Sequence, residues 1–366
     1  MAELSVFGGY AENMQILIDT RLEKFNQPWY TKYFEWDTPQ ISLDYTSVLG
    51  SAVINAVATV VARDSETPLA TREALAKLTG EIPAIKRMIP LNENQYRHYM
   101  SLLNMPGVKD QQKKMQALKL IWDDVKKVVD SIHNRIDFLA LQAISTGKID
   151  INVDNNPDGI IVPDIDLLMP DENKTTVSTS WSDASNATPI QDIQSVVNKA
   201  NCDFAKILIS KNKMNEMIKS KEVKDTLAAF YGLTKAASSA ETAPLTFNRL
   251  NKYMEESELP VFEIVDKKVS IEKNGAPTIT SPFESKNLSF IPDGKLGVIK
   301  NALAVEEMNP VENIKYANAG RVLVSKWKQN EPFREFTKAE CNAWPVIESI
   351  NSIHLLTTEK DVATLL

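Results

Sequence analysis

The sequence predicts an α+β fold in which one very long helix is set among strands. Three observations point there. Leu118, Ile121, Val125, Val128, Ile132, Ile136, Leu139 and Ala143 recur at spacings of three or four residues, close to the 3.6 period of an α-helix. Residues 33–46 instead alternate with a period of two, the mark of half-buried strands. Residues 189–231 mix helical and strand patterns, and the chain beyond residue 256 is mostly strand-like.

Taken in order, residues 1–30 read as an extended or partly helical arm. Phe34, Trp36, Ile41, Leu43 and Tyr45 then fall on one side of their strands, and Glu35, Asp37, Ser42 and Asp44 on the other, with Pro39 breaking the run. The run 51–62 is strand-like. It leads into TPLATREALAKLTGEIPAIKRMIPL (67–91), charged with both signs and punctuated by Pro68, Pro83 and Pro90. Such a stretch is poor core material, and long irregular excursions are usually functional or disordered. It suits an arm projecting from the body and returning through IPAIKRMIP, its charges meeting a neighbouring subunit. Arg72, Glu73, Lys77, Glu81, Lys86 and Arg87 are the candidates for that contact.

The helical pattern occupies 110–146. Pro106 and Gly107 precede it and Gly147 comes directly after it as a natural C-cap. At 1.5 Å per residue it spans roughly 55 Å. A helix laid across a sheet explains it better than a coiled-coil arm, because strands come next at once. Its core stripe is expected to be Leu118, Ile121, Val125, Val128, Ile132, Ile136 and Leu139.

Residues 148–180 read as strand and turn. Helices are expected near 189–200, 211–219, 221–230 and 245–256, with a strand at 205–210. The small, polar run 232–244 reads as a mobile loop. Strands are expected in PVFEIVD, KVSIEK, TITSP, LSFIP, GRVLVSKW and SIHLL.

Composition narrows the function. Hydrophobic residues make up 43% and charged residues 24% of the 366, an ordinary globular balance. The net charge of −7 argues against a dedicated nucleic-acid binder, though not against a shell enclosing nucleic acid. Two distant cysteines, Cys202 and Cys341, suit a reducing compartment and make neither a disulfide framework nor a zinc site. The uncharged run Tyr45–Ala62 is of borderline membrane-spanning length, but its Thr, Ser, Asn and Val content favours paired strands.

No focused chemistry stands out. DNNPDG at 154–159 copies the first half of a calcium loop, but the twelfth position, which should be a bidentate Glu, is Ile165, so an Asx-rich turn is the simpler reading. The three histidines, His98, His133 and His354, are scattered, and no phosphate loop or nucleophile motif is present. No catalytic, cofactor-binding or metal residues are expected.

The order of parts, carried by PLATREALAKLTGEIPAIKRMIPL (68–91), VKKVVDSIHNRIDFLALQAISTGKI (125–149) and EEMNPVENIKYANAGRVLVSKWKQNEPFREFTKAECNAWPVIES (306–349), resembles the major capsid proteins of tailed bacteriophages. These share the capsid fold named after phage Hong Kong ninety-seven, and the resemblance is nearest to the phage lambda-type major capsid protein E family. It implies an N-arm with leading strands at 1–50, an E-loop at 51–95, and a P-domain at 96–185 holding the spine helix. It further implies an A-domain at 186–305, with returning P-domain strands and tail at 306–366. The implied function is a self-assembling, non-enzymatic virion protein without cofactors. Hexamers and pentamers would close an icosahedral head around double-stranded DNA held non-specifically. The implied partners are further copies, a scaffolding protein and a portal, with or without a decoration protein, with assembly in the host bacterial cytoplasm and no membrane. The rivals are an encapsulin-like nanocompartment and, less favoured, an α+β enzyme.

Overall fold

A computed structural model describes residues 14–49, 76–103, 110–232, 246–273 and 275–360. Helices and strands both contribute substantially, and the chain divides into two compact units.

The first unit takes in residues 1–45, 79–137 and 298–345. Its sheet has six strands. Phe34–Trp36, Gly297–Ala302, Arg334–Ile347, Val322–Gln329 and Lys315–Ala319 lie side by side in that order, and Ala84–Asn92 also pairs with Arg334–Ile347. The 14-residue strand Arg334–Ile347 is therefore the hub. Its register runs antiparallel against Val322–Gln329, with Leu323 opposite Glu340, and against Ala84–Asn92, with Lys86 opposite Glu340. It is buried at almost every position, as expected of a strand with neighbours on both sides and cover on both faces.

The long helix, Asp110–Thr146, has 37 residues. Along its stripe Ile121, Val125, Val128, Ile132, Ile136, Leu139 and Ala143 are buried, and Leu118 is half-buried at the start. On another face it holds the arm. Trp122 lies against Phe25, with Arg21 over the ring. Asp130 accepts from the backbone and side-chain nitrogens of Asn26, His133 meets the Tyr30 hydroxyl at 3.0 Å, and Asp137 accepts from the Tyr30 amide at 2.8 Å. Spacings of three and four put Asp130, His133 and Asp137 on one helix face.

The second unit takes in 46–78, 138–297 and 346–366. Its five-stranded sheet runs Lys174–Thr176, His354–Thr357, Asn287–Ile291, Lys206–Ser210, Val261–Val265. The outer pairings are parallel and the inner two antiparallel. Helices Pro189–Lys199, Lys211–Lys219, Lys221–Phe230 and Phe247–Glu256 contribute Ile193, Met217, Leu227 and Leu250 to a core shared with Trp181, Ile207 and Phe290. Ser210 and Ser220 each cap the helix they precede by accepting a backbone N–H.

The last turn of the long helix lies in this unit. Gly147 ends it in the left-handed region (φ 70°) with its amide on the Ala143 carbonyl, the geometry for which glycine is suited. The buried last-turn carbonyls of Ile144 and Ser145 accept from Ser289 and Asn287 of the neighbouring strand. The Asp-Asn run at 154–159 is a turn joining Lys148–Ile151 to Val162–Asp166, with Asn152 and Asn155 bonded to nearby backbone.

Several expectations change. The return through IPAIKRMIP does not project: Ala84–Asn92 is a full strand of the six-stranded sheet. Ile41 and Leu43 lie in a connection between strands and are exposed, 73% and 41%. Helix Glu93–Leu103 and strands Gly297–Ala302, Lys315–Ala319 and Arg334–Ile347 carry no clean period, and the sequence does not single them out. The strand-like run 51–62 and nearly all of the loop 232–244 lie outside the described residues.

Candidate assembly surface

The stem of the expected loop is a two-stranded ribbon, Asp44–Leu49 with Ala76–Glu81. Tyr45, buried at 5% exposure, lies over Gly80, where any Cβ would stand 2.9 Å from the Tyr45 hydroxyl. Arg72 and Glu73 lie outside the described residues. Lys77 is on the ribbon's second strand, and Glu81 ends that strand with an exposed side chain. The ribbon's described end thus places Glu81 at the surface, whereas Lys86 and Arg87 stand apart from it on the sheet.

Lys86 has a partner within its own chain. Its ammonium is 2.8 Å from the Glu340 carboxylate, directly across the strand pair. Glu340 also meets Lys338, which reaches on to Glu306 at 3.3 Å. The result is a four-charge chain, Lys86–Glu340–Lys338–Glu306, over two strands and the short helix Val305–Met308. The Glu340 side chain is only 5% exposed and Lys86 is 50% exposed. Burial works against the charged form of Lys338, but its bonds to Glu340 and Glu306 outweigh that and raise its pKa above the usual lysine value. Burial likewise opposes ionised Glu306, but a backbone N–H and Lys338 outweigh it and hold the carboxyl below its ordinary range. The expected intersubunit role of Lys86 therefore meets an intrachain competitor. Arg87, next along the strand and opposite Ala339, is exposed.

A second ion pair is wholly enclosed. Lys326 and Glu335 meet at 2.6 Å with side chains 3% and 0% exposed, and Lys326 also donates to Thr337 at 3.0 Å. Asp124 of the long helix lies within electrostatic reach of both; its pKa is raised by burial, with Lys326 pulling the other way. Charge alternation in SKWKQNEPFREFTKAE is the only sequence signal for this hairpin pair.

Chemistry is sparse elsewhere. Burial pushes the Cys341 thiol up to about 12, an unreactive state. Among the described residues no group of three or more His, Cys, Asp or Glu is placed to hold a metal ion, and no helix is long and apolar enough to cross a membrane.

Comparison with known proteins bears on the surface as a whole. The family described as "Phage major capsid protein E" matches residues 24–358. Among solved structures, the chain is similar to a protein assigned as the capsid protein of a prophage of E. coli CFT073, with a TM-score of 0.57 at 16% identity, covering 96% of this chain and 97% of that one. It is also similar to a phage-related protein of Bordetella bronchiseptica RB50, with a TM-score of 0.52 at 9% identity, covering 94% and 96%. No curated protein sequence matches. At such identities the two structures establish the shared fold, and the family match across nearly the whole chain establishes the kinship: this chain belongs to the phage major capsid protein E family, structural proteins of the viral shell.

Proposed function

We propose that this protein is the repeating unit of an icosahedral phage head, with hexamers and pentamers closing around double-stranded DNA. The observation that carries the reading is the family match over residues 24–358. In this reading 1–50 is the N-arm, 51–95 the E-loop, 96–185 the P-domain with its spine helix, 186–305 the A-domain, and 306–366 the returning strands and tail. The ribbon Asp44–Leu49/Ala76–Glu81 forms the base of the E-loop, and Ala84–Asn92 anchors its far end in the sheet. Arg72, Glu73, Lys77, Glu81 and Arg87 meet charges on the adjacent subunit, while Lys86 serves the subunit's own sheet.

The net charge of −7 favours weak, non-specific contact with the genome, because a shell gripping phosphates would hinder filling and release. A scaffolding protein and a portal are the further partners, with or without a decoration protein, and assembly takes place in the host cytoplasm. Electron microscopy and sedimentation of the purified full-length protein test the reading. Capsomers or closed shells are expected, and nuclease-protected DNA within particles from infected cells. Particles that stay small at every concentration, or shells packed with protein cargo, would overturn it.

A further inference from the structure

The six-stranded sheet ends at Lys315–Ala319, and the five-stranded sheet ends at Val261–Val265. An edge strand presents backbone donors and acceptors that can template a strand from another chain. At each of these edges a helix lays one primary amide against one outward-facing residue. From Met14–Asp19, Gln15 accepts the Asn318 N–H at 2.7 Å and donates to the Asn318 carbonyl at 3.0 Å. From Phe247–Glu256, Asn251 accepts the Phe262 N–H at 2.8 Å and donates to the Phe262 carbonyl at 2.9 Å.

A side-chain amide carries the same donor and acceptor pair as a peptide unit. Each therefore occupies the place that a residue of an adjoining strand would take. The two sheets differ in topology, and the two helices differ in length and position. What the sites share is the edge itself. Gln15 is exposed and Asn251 half-buried, so neither is spent on filling a core.

We propose that Gln15 and Asn251 are edge guards, which hold the backbone of Asn318 and Phe262 and so deny both edges to an extended strand of a second copy. A second copy is the occupant to be excluded because a shell protein meets its own kind at high local concentration. It must associate through chosen faces only. Uncontrolled strand addition between copies does not close; it propagates as stacked sheets.

The test uses the full chain with Gln15→Met, Asn251→Leu, and both together, each removing the amide while roughly keeping the side chain's shape. Hydrogen exchange is measured at Asn318 and Phe262, and association by light scattering with infrared detection of intermolecular β-structure. The freed amide is expected to exchange roughly five- to tenfold faster, the loss of about one hydrogen bond. β-Rich multimers should form at lower protein concentration, most readily in the double variant. Because Gln15 is exposed, its variant tests the idea even where Asn251→Leu fails to fold. Unchanged exchange, faster exchange without added association, or aggregates lacking intermolecular β-structure would each overturn the proposal. Free subunits are measured, so the outcome is independent of whether heads form.

Discussion

The Lys326 ammonium sits 2.6 Å from the Glu335 carboxylate, and both side chains are shut away from water. Such a pair contributes little net stability while intact, because desolvation offsets its attraction; breaking it by removing one partner is what costs. Lys326→Met leaves the Glu335 charge buried without that ammonium. A loss of about 3–5 kcal/mol is expected, read from urea unfolding. Replacing both residues with apolar ones of similar size (Lys326→Met with Glu335→Leu) should recover most of it. If the double variant is as unstable as the single, the pair is not the source of the loss.

Gly297 is where backbone meets backbone most tightly among the described glycines. A Cβ there would stand 2.0 Å from the Val346 carbonyl oxygen and 2.9 Å from the Ile347 Cα. Backbone cannot rotate aside as a side chain can. Gly297→Ala is expected to cost at least ~3 kcal/mol, the upper end of overpacking penalties, and to give largely insoluble protein. A soluble variant with an unchanged melting temperature would contradict this contact.

Val128 is fully buried at the middle of the long helix. Val128→Asp places a carboxylate in that core at a cost above ~4 kcal/mol. Loss of the folded subunit, and not merely of assembly, is expected in circular dichroism and sedimentation.

Lys86 and Glu340 allow the intrachain and intersubunit roles of the strand to be separated. Lys86→Glu should destabilise the free subunit by about 1–2 kcal/mol, modest because Lys86 is half exposed and screened. The cost should shrink when Lys86→Glu is made in a Glu340→Gln background, where no carboxylate charge stands opposite it. Arg87→Glu should impair assembly, less so at 1 M salt, where the Debye length is about 3 Å. A cost that is the same in both backgrounds would remove Glu340 as the partner that matters.

The same cluster sets a pH window. Glu306 has a lowered pKa, so its contribution is present above the unfolded value of about 4.3 and is lost as pH falls through the folded value. Lys338 has a raised pKa, so its contribution is present below about 10.4 and is lost as pH rises through the folded value. The cluster's share of the stability measured in urea should be flat across neutral pH and fall at both ends. Glu306→Gln should flatten the acid limb and also weaken the alkaline one, because Glu306 helps raise the Lys338 pKa.

Local pattern reveals the elements that satisfy their own hydrogen bonds or bury one clean face. The long helix declares itself through its stripe and through Gly147, and the helices at Pro189–Lys199, Lys211–Lys219, Lys221–Phe230 and Phe247–Glu256 through apolar spacing. Arg334–Ile347 does not, because a hub strand covered on both faces has no alternation to show, and TKAECNAW carries buried polar residues besides. Lys86 draws notice as a charge in a Pro-bounded segment. Its partner Glu340 lies in a distant strand, and no spacing rule joins residues so far apart. Gln15 and Asn251 are invisible for a different reason: an amide that mimics a peptide looks like any exposed polar residue until the edge beside it is known.

The register of Lys86 opposite Glu340 also has a temporal meaning. During synthesis the strand Ala84–Asn92 leaves the ribosome about 250 residues ahead of the strand it pairs with, a wait of roughly 12–50 s at 5–20 residues per second. Strand Phe34–Trp36 waits for Gly297–Ala302 in the same way. The early third of the polypeptide therefore spends its first moments with edges that have nothing to pair with but each other or a neighbouring nascent chain. Ribosomes translating one message would bring those incomplete edges close together, so the interval before the hub strand emerges is when this protein is most exposed to wrong pairing.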